Sequence, residues 1–108
     1  MIDGRSVGIV IPCHNEADGL RALLPKRPAE VDELIVVDNN STDGTAEVAR
    51  RFGARIVTER VPGYGSALQA GMRAVAADIV VTMDGDGQYD ITDVPRLVRI
   101  FLSQKLDV

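Results

Sequence analysis

Apolar residues fall along the chain in four short runs, at residues 7–11, 34–37, 55–58 and 79–83, all rich in Val and Ile. The first, second and fourth are nearly continuous rather than alternating. That pattern suits strands covered on both faces, as in a parallel sheet. The intervening segments show helical spacing instead. Leu20, Leu23 and Leu24 share a face at residues 17–24, and Val48 and Phe52 do so at 45–52, where Gly53 supplies a C-terminal stop. Leu68, Met72 and Val75 align at residues 66–76; Val94, Leu97, Val98, Phe101 and Leu102 align at 94–102. Asp93 before Val94-Pro95 reads as an N-cap with proline in the first turn. The order β-α-β-α-β-α-β-α predicts an α/β fold, an open and mostly parallel sheet with flanking helices joined by right-handed crossovers. No repeat or linker interrupts it, so residues 1–108 are expected to form a single domain.

In such sheets ligands bind beyond the carboxyl ends of the strands, and the unusual polar residues gather there. His14-Asn15-Glu16 follows the first strand, Asp38-Asn39-Asn40-Ser41-Thr42-Asp43 the second, Glu59-Arg60 the third and Asp84-Gly85-Asp86-Gly87-Gln88 the fourth. The connections at the other end are ordinary. Asp84 and Asp86 are the sharpest pair. Residues i and i+2 of an extended segment point the same way, so two carboxylates can converge on one hard cation, with the Gln88 oxygen nearby. The alternative is an acidic Gly-rich turn that merely ends a strand.

Other readings of these motifs fail on spacing. An EF-hand starting at Asp84 would need Gly where Tyr89 stands and Glu where Pro95 stands. Gly63-Tyr64-Gly65-Ser66 is no dinucleotide fingerprint, because its sixth position is Leu68 and it follows the third strand. These glycines let a loop approach either a ligand or a neighbouring strand. His14 and Glu16 share a side and face either a ligand or solvent. Arg60 meets either a phosphate or a neighbouring acid. Ser41 and Thr42 are expected to cap the second helix, Cys13 to be a small packed residue, and Arg96, Arg99 and Lys105 to form a solvated face.

Composition narrows the classes. Hydrophobic residues are 45% and charged residues 26% of the 108, which suits a globular chain and not a disordered one. The net charge is −4, with two Tyr, two Phe and no Trp, so nucleic acid is not an expected partner. One cysteine forms no internal disulfide and fits a reducing, cytoplasmic setting. No leader or membrane-spanning run is evident, so any membrane association would be indirect.

Taken in order, these residues carry a family likeness. Val7-Gly8-Ile9-Val10-Ile11-Pro12-Cys13-His14-Asn15-Glu16 resembles the opening motif of family 2 glycosyltransferases with the GT-A fold. Val36-Val37-Asp38-Asn39-Asn40-Ser41-Thr42-Asp43-Gly44-Thr45 is similar to their second motif. Gly63-Tyr64-Gly65-Ser66-Ala67-Leu68 and Met83-Asp84-Gly85-Asp86-Gly87-Gln88 resemble their Gly-rich loop and D-x-D metal motif. The D-x-D-x-Q form looks closest to the dolichyl- and polyprenyl-phosphate sugar synthases. The resemblance implies a nucleotide-diphospho-sugar donor, UDP- or GDP-linked, and a Mg2+ or Mn2+ ion held by Asp84, Asp86 and Gln88. It places Pro12, His14 and Glu16 beside the nucleoside, with Asp38 and Asn39 near the base or ribose. Many members have a second aspartate where Asn39 stands. Gly65 would let its loop close over the donor, and Gly85 would lie against it. Family members continue past the metal loop into the part that supplies the acceptor pocket and, in inverting enzymes, the general base. The expectation is therefore a donor-binding half. It holds no residue assignable as that base, and an exposed sheet edge is open to a second copy. The acceptor is left open, a polyprenyl phosphate among the candidates. The alternative is a non-catalytic nucleotide-sugar-binding or assembly module.

Overall fold

The computed structural model describes residues 1–106, with side chains through residue 104. Four parallel strands, β1 (Val7–Cys13), β2 (Glu33–Asp38), β3 (Arg55–Thr58) and β4 (Ile79–Thr82), lie in the order β3-β2-β1-β4. The chain winds outward from β1 through α1 (Ala17–Leu23) to β2 and through α2 (Thr45–Arg51) to β3. It then crosses back by α3 (Tyr64–Ala74) to place β4 on the other side of β1, and ends in α4 (Val94–Leu106). The reversal makes the carboxyl end of β1, between β2 and β4, the switch point where open sheets take ligands.

β1 is buried along its whole length because helices cover both faces. Val7, Ile9 and Ile11 join Leu34 and Val36 against α1, α2 and α4; Val10 joins Ile35 and Val37 against α3. Each fully buried Val or Ile stabilises the fold by about 1.5–3 kcal/mol. β1 outruns the β4 ladder, which ends at Val10, and there Pro12 costs no ladder bond with β4.

The helix faces correct two expectations. α3 starts at Tyr64, two residues before the predicted helix, and turns Ala67, Ala70 and Gly71 inward, leaving Met72 exposed and Leu68 and Val75 half-buried. Small residues face the sheet because the helix lies close to it. A Cβ built on Gly71 would sit inside the Val10 side chain and 3.0 Å from Val37 Cγ2. α3 stops where the Glu33 carboxylate accepts the amides of Ala76 and Ala77, both at 2.9 Å. In α4, Val94, Val98 and Leu102 point inward, while Leu97 and Phe101 are exposed. The capping side chain at that end is Asp90, which accepts the Thr92 amide on a 3-10 turn (Ile91–Asp93) leading into α4; Asp93 pairs instead with Arg96 at 3.6 Å. Arg96 and Arg99 are exposed, and the Lys105 side chain lies outside the described residues.

Candidate functional site

Ser41 and Thr42 do not cap α2. Its N-cap is Gly44, at φ +84°, with no side-chain bond. The segment after β2 instead ties down the segment after β1. The Ser41 hydroxyl accepts the Asn15 amide at 2.9 Å, and the Asn15 side-chain oxygen accepts the Thr42 amide at 2.8 Å. The Thr45 hydroxyl accepts the Glu16 amide, and Asp43 accepts those of Ala17 and Thr45, all near 3 Å. Asn15 and Asn40 sit in the left-handed region, at φ +56° and +62°, a conformation asparagine tolerates better than most residues. Asp38 accepts the Ser41 amide at 3.1 Å, closing the turn on itself.

This latch carries a pH signature. The Thr45 hydroxyl bond holds the Asp43 carboxyl below the ordinary range, and the amides of Ala17 and Thr45 add to it. A lowered folded pKa contributes stability that is present above the unfolded value, near 3.9, and is lost as pH falls through the folded value. Asp43→Asn is therefore expected to lower the urea midpoint at pH 7 and to flatten its decline below about pH 4. Urea unfolding across pH 2.5–7 checks this; an acid arm unchanged from wild type would contradict it.

Asn39 is buried, and its amide is engaged within the chain. Its nitrogen donates to the carbonyls of Glu59 at 2.7 Å and Val61 at 2.8 Å, and its oxygen accepts the Gly63 amide at 3.0 Å. One side chain thereby shapes the whole segment between β3 and α3. The Asn39 carbonyl accepts from His14 Nδ1 at 2.8 Å. A carbonyl only accepts, so Nδ1 carries the proton, and Nε2 is left to accept from Asn15 Nδ2 at 3.4 Å.

These loops and the turn after β4 enclose a cavity of about 740 Å³ at the switch point. Pro12, His14, Glu16 and Asn39 line one part of it. Arg60, Pro62, Gly63 and Tyr64 line a second, and Asp84, Gly85 and Asp86 a third. Seven of the residues expected at the site thus share one cavity. Asp38, Gly65 and Gln88 do not line it. Arg60 adds a basic residue to the lining, and Tyr64 an exposed aromatic one. The sequence offered no choice for Arg60 and gave Tyr64 no role beyond its Gly-rich loop.

Acidic side chains outnumber basic ones around Glu16, where His14 supplies the one lowering contribution among the charges. Burial raises the Glu16 carboxyl above the ordinary range, and the negative charges of Asp86, Asp43 and Asp84 raise it further. Asp84 and Asp86 are exposed around a buried Gly85, and Asp86 accepts the Gln88 amide at 2.9 Å. No group of three or more His, Cys, Asp or Glu is drawn together as for a metal ion among the described residues. Asp84 and Asp86 are nevertheless the carboxylates of this turn that could hold one hard divalent cation, whose charge would relieve the crowding at Glu16. Cys13 lies beneath, buried; desolvation, with Glu16 and Asp38 adding, pushes its thiol up to about 12, so it is a packing residue and no nucleophile.

The chain is similar to known proteins in sequence and in fold. An uncharacterized glycosyltransferase of Mycobacterium tuberculosis is 52% identical over 95 residues, 88% of this chain and 43% of that protein. An undecaprenyl-phosphate 4-deoxy-4-formamido-L-arabinose transferase of Edwardsiella ictaluri is 38% identical over 106 residues, 86% of this chain and 33% of that one. The crystal structure of glucosyl-3-phosphoglycerate synthase from M. tuberculosis with Mn2+, UDP-glucose and phosphoglyceric acid superposes with a TM-score of 0.75 at 35% identity, over 92% of this chain and 40% of that one. The chain spans less than half the length of each. The parallel sheet with its flanking helices is that of the GT-A glycosyltransferases. Residues 8–108 match the profile described as glycosyl transferase family 2, and the chain belongs to that family.

Proposed function

We propose that this chain is the donor-binding part of a glycosyltransferase that takes a nucleotide-diphospho-sugar, UDP- or GDP-linked, through a divalent cation. The observation that carries this reading is the single cavity at the switch point, with the acidic turn after β4 on one side and the loops after β1, β2 and β3 around the rest. The Mn2+ and UDP-glucose in the glucosyl-3-phosphoglycerate synthase structure support it. Asp84 and Asp86, with Gln88, would hold Mg2+ or Mn2+, which when bound neutralises the charge that develops on the departing diphosphate. Gly85, which has no room for a side chain against Cys13, Glu16 and Ile11, keeps the turn between the two aspartates close to the end of β1. Pro12, His14 and Glu16 flank the nucleoside; Asp38, Asn39 and Gly65 serve through the loops they shape. His14, held through Nδ1 by the Asn39 backbone carbonyl and through Nε2 by Asn15, offers its ring to the cavity.

No residue of the chain is assigned as the general base that activates an acceptor. A polyprenyl phosphate is the acceptor class suggested by the undecaprenyl-phosphate transferase. No helix among the described residues is long and apolar enough to cross a membrane. β4, four residues long and open on one side, is where a second copy or further strands would add. A nucleotide-sugar donor and a free thiol fit the cytoplasm.

Calorimetric titration with UDP- and GDP-sugars, with and without Mn2+, tests the reading. Saturable binding of at least one nucleotide class, weakened tenfold or more by metal removal, is the expected result. A folded sample that binds neither class would overturn it.

A further inference from the structure

We infer that Gly19, in the middle of α1, is a positioning residue that seats the acidic turn after β4 at the height a metal–nucleotide complex requires; the second half of this statement rests on the donor-site reading above. Three glycines interlock there. A Cβ built on Gly19 would lie 2.6 Å from the Asp86 carbonyl carbon and 2.8 Å from Asp86 Cα, and closer still to the Gly85 carbonyl oxygen. A Cβ on Gly87, itself at φ +83°, would lie 3.2 Å from Gly19 Cα. On its other side, a Cβ on Gly85 would meet Cys13 Sγ at 2.7 Å and Glu16 Cβ at 3.3 Å. The peptide between the two aspartates is therefore held between α1 and the end of β1, backbone on backbone.

Helix propensity makes this position informative. Glycine is a poor helix former, and alanine at a half-exposed helical site would ordinarily stabilise the helix. Here the neighbour is main chain, which cannot rotate away as a side chain can. A methyl group at Gly19 must push the Gly85–Asp86 peptide outward, and both carboxylates move with it. Displacements of about 1 Å in a reacting constellation can cost about a hundredfold.

The test pairs amide NMR of the ligand-free protein with calorimetry of UDP in the presence of Mn2+. Gly19→Ala is expected to shift the amides of residues 84–88, keep the helical circular dichroism, and bind UDP–Mn2+ at least tenfold more weakly. Gly87→Asn keeps a residue that tolerates positive φ and intrudes by only a few tenths of an ångström. It is expected to give smaller shifts and a severalfold loss, and it carries the test if Gly19→Ala does not fold. Asp18→Ala, on the same helix and paired with Arg21, is expected to change neither readout. Amides 84–88 unmoved in Gly19→Ala, or a displaced turn with affinity within twofold of wild type, would overturn the inference. Wild-type protein that binds neither UDP nor GDP in the presence of Mn2+ would defeat the donor reading instead. The seating of the turn would then stand or fall on the amide shifts alone.

Discussion

Asp86→Ala is expected to abolish Mn2+-dependent nucleotide binding, by a factor of a hundred or more, in a protein that stays folded. The argument compares two charge states of one cluster. Without a cation, Asp86 is a burden: its charge helps raise the carboxyl of Glu16, second only to burial. Its structural return is one hydrogen bond, accepted from the exposed Gln88 amide, worth about 1 kcal/mol. Removal of the side chain forfeits that bond and relieves the repulsion with Glu16, so the unfolding free energy is expected to stay within about 1 kcal/mol of wild type. With a cation and a diphosphate present the sign reverses. Opposite unit charges about 4 Å apart attract by roughly 4 kcal/mol at an effective dielectric of 20, and each 1.4 kcal/mol is tenfold in affinity. Loss of one of two carboxylate ligands therefore exceeds a hundredfold. Calorimetry and urea unfolding on the same variant separate the terms. Retained metal-dependent affinity would remove Asp86 from the ligand set; loss of affinity with collapse of the fold would make it a structural residue.

That acidic turn was readable in the sequence because its logic is local. Two acids at i and i+2 around a glycine, after a β-run, need no knowledge of the rest of the chain. The strands were readable for the same reason. Continuous Val and Ile runs at residues 7–11 and 34–37 lie within β1 and β2, and the predicted third strand coincides with β3. What local pattern did not show is contact across 20–70 residues. Ser41 and Thr42 precede a helix and look like caps, yet their partner is Asn15, 26 and 27 residues away. Leu68 and Met72 look like the inner face of α3, but the sheet sits close enough that only Ala and Gly fit against Val10 and Val37. Gly19 had one visible signal, a glycine inside a leucine-periodic helix; its reason lies 66 residues further on, at Gly85. The motifs after β1 and β2 read as chemistry in the sequence, while the structure shows that much of their polarity serves to bind the two loops to each other.

Asn39 shows how far that structural use of polarity goes, and it carries the largest expected effect on stability. Asn39→Asp is expected to destabilise the protein by about 2–4 kcal/mol at pH 7. The amide nitrogen donates to two backbone carbonyls, of Glu59 and Val61, while its oxygen serves the Gly63 amide. A carboxylate keeps the last bond and loses the first two, turning both into contacts between a buried charge and carbonyl oxygens. Each stranded polar group costs about 1–3 kcal/mol, from a total stability of about 5–15 kcal/mol for a domain. The introduced acid has a way out: protonation restores one O–H donor and removes the charge. Its folded pKa is thus raised above the unfolded value, so the destabilisation is smallest below about pH 4 and grows as pH rises through the folded pKa. Asn39→Leu, which offers neither donor nor charge, is expected to be destabilised to a similar extent with no such added pH dependence. Urea unfolding of both variants at pH 4.5 and 7 distinguishes the cases. Hydrogen exchange at the Gly63 amide then locates the damage: faster exchange in Asn39→Leu, where its acceptor is gone, and protection retained in Asn39→Asp, where the acceptor oxygen remains. An Asn39→Asp protein as stable at pH 7 as wild type would mean that the segment between β3 and α3 holds its shape without the clip, and that the wall of the cavity does not depend on it.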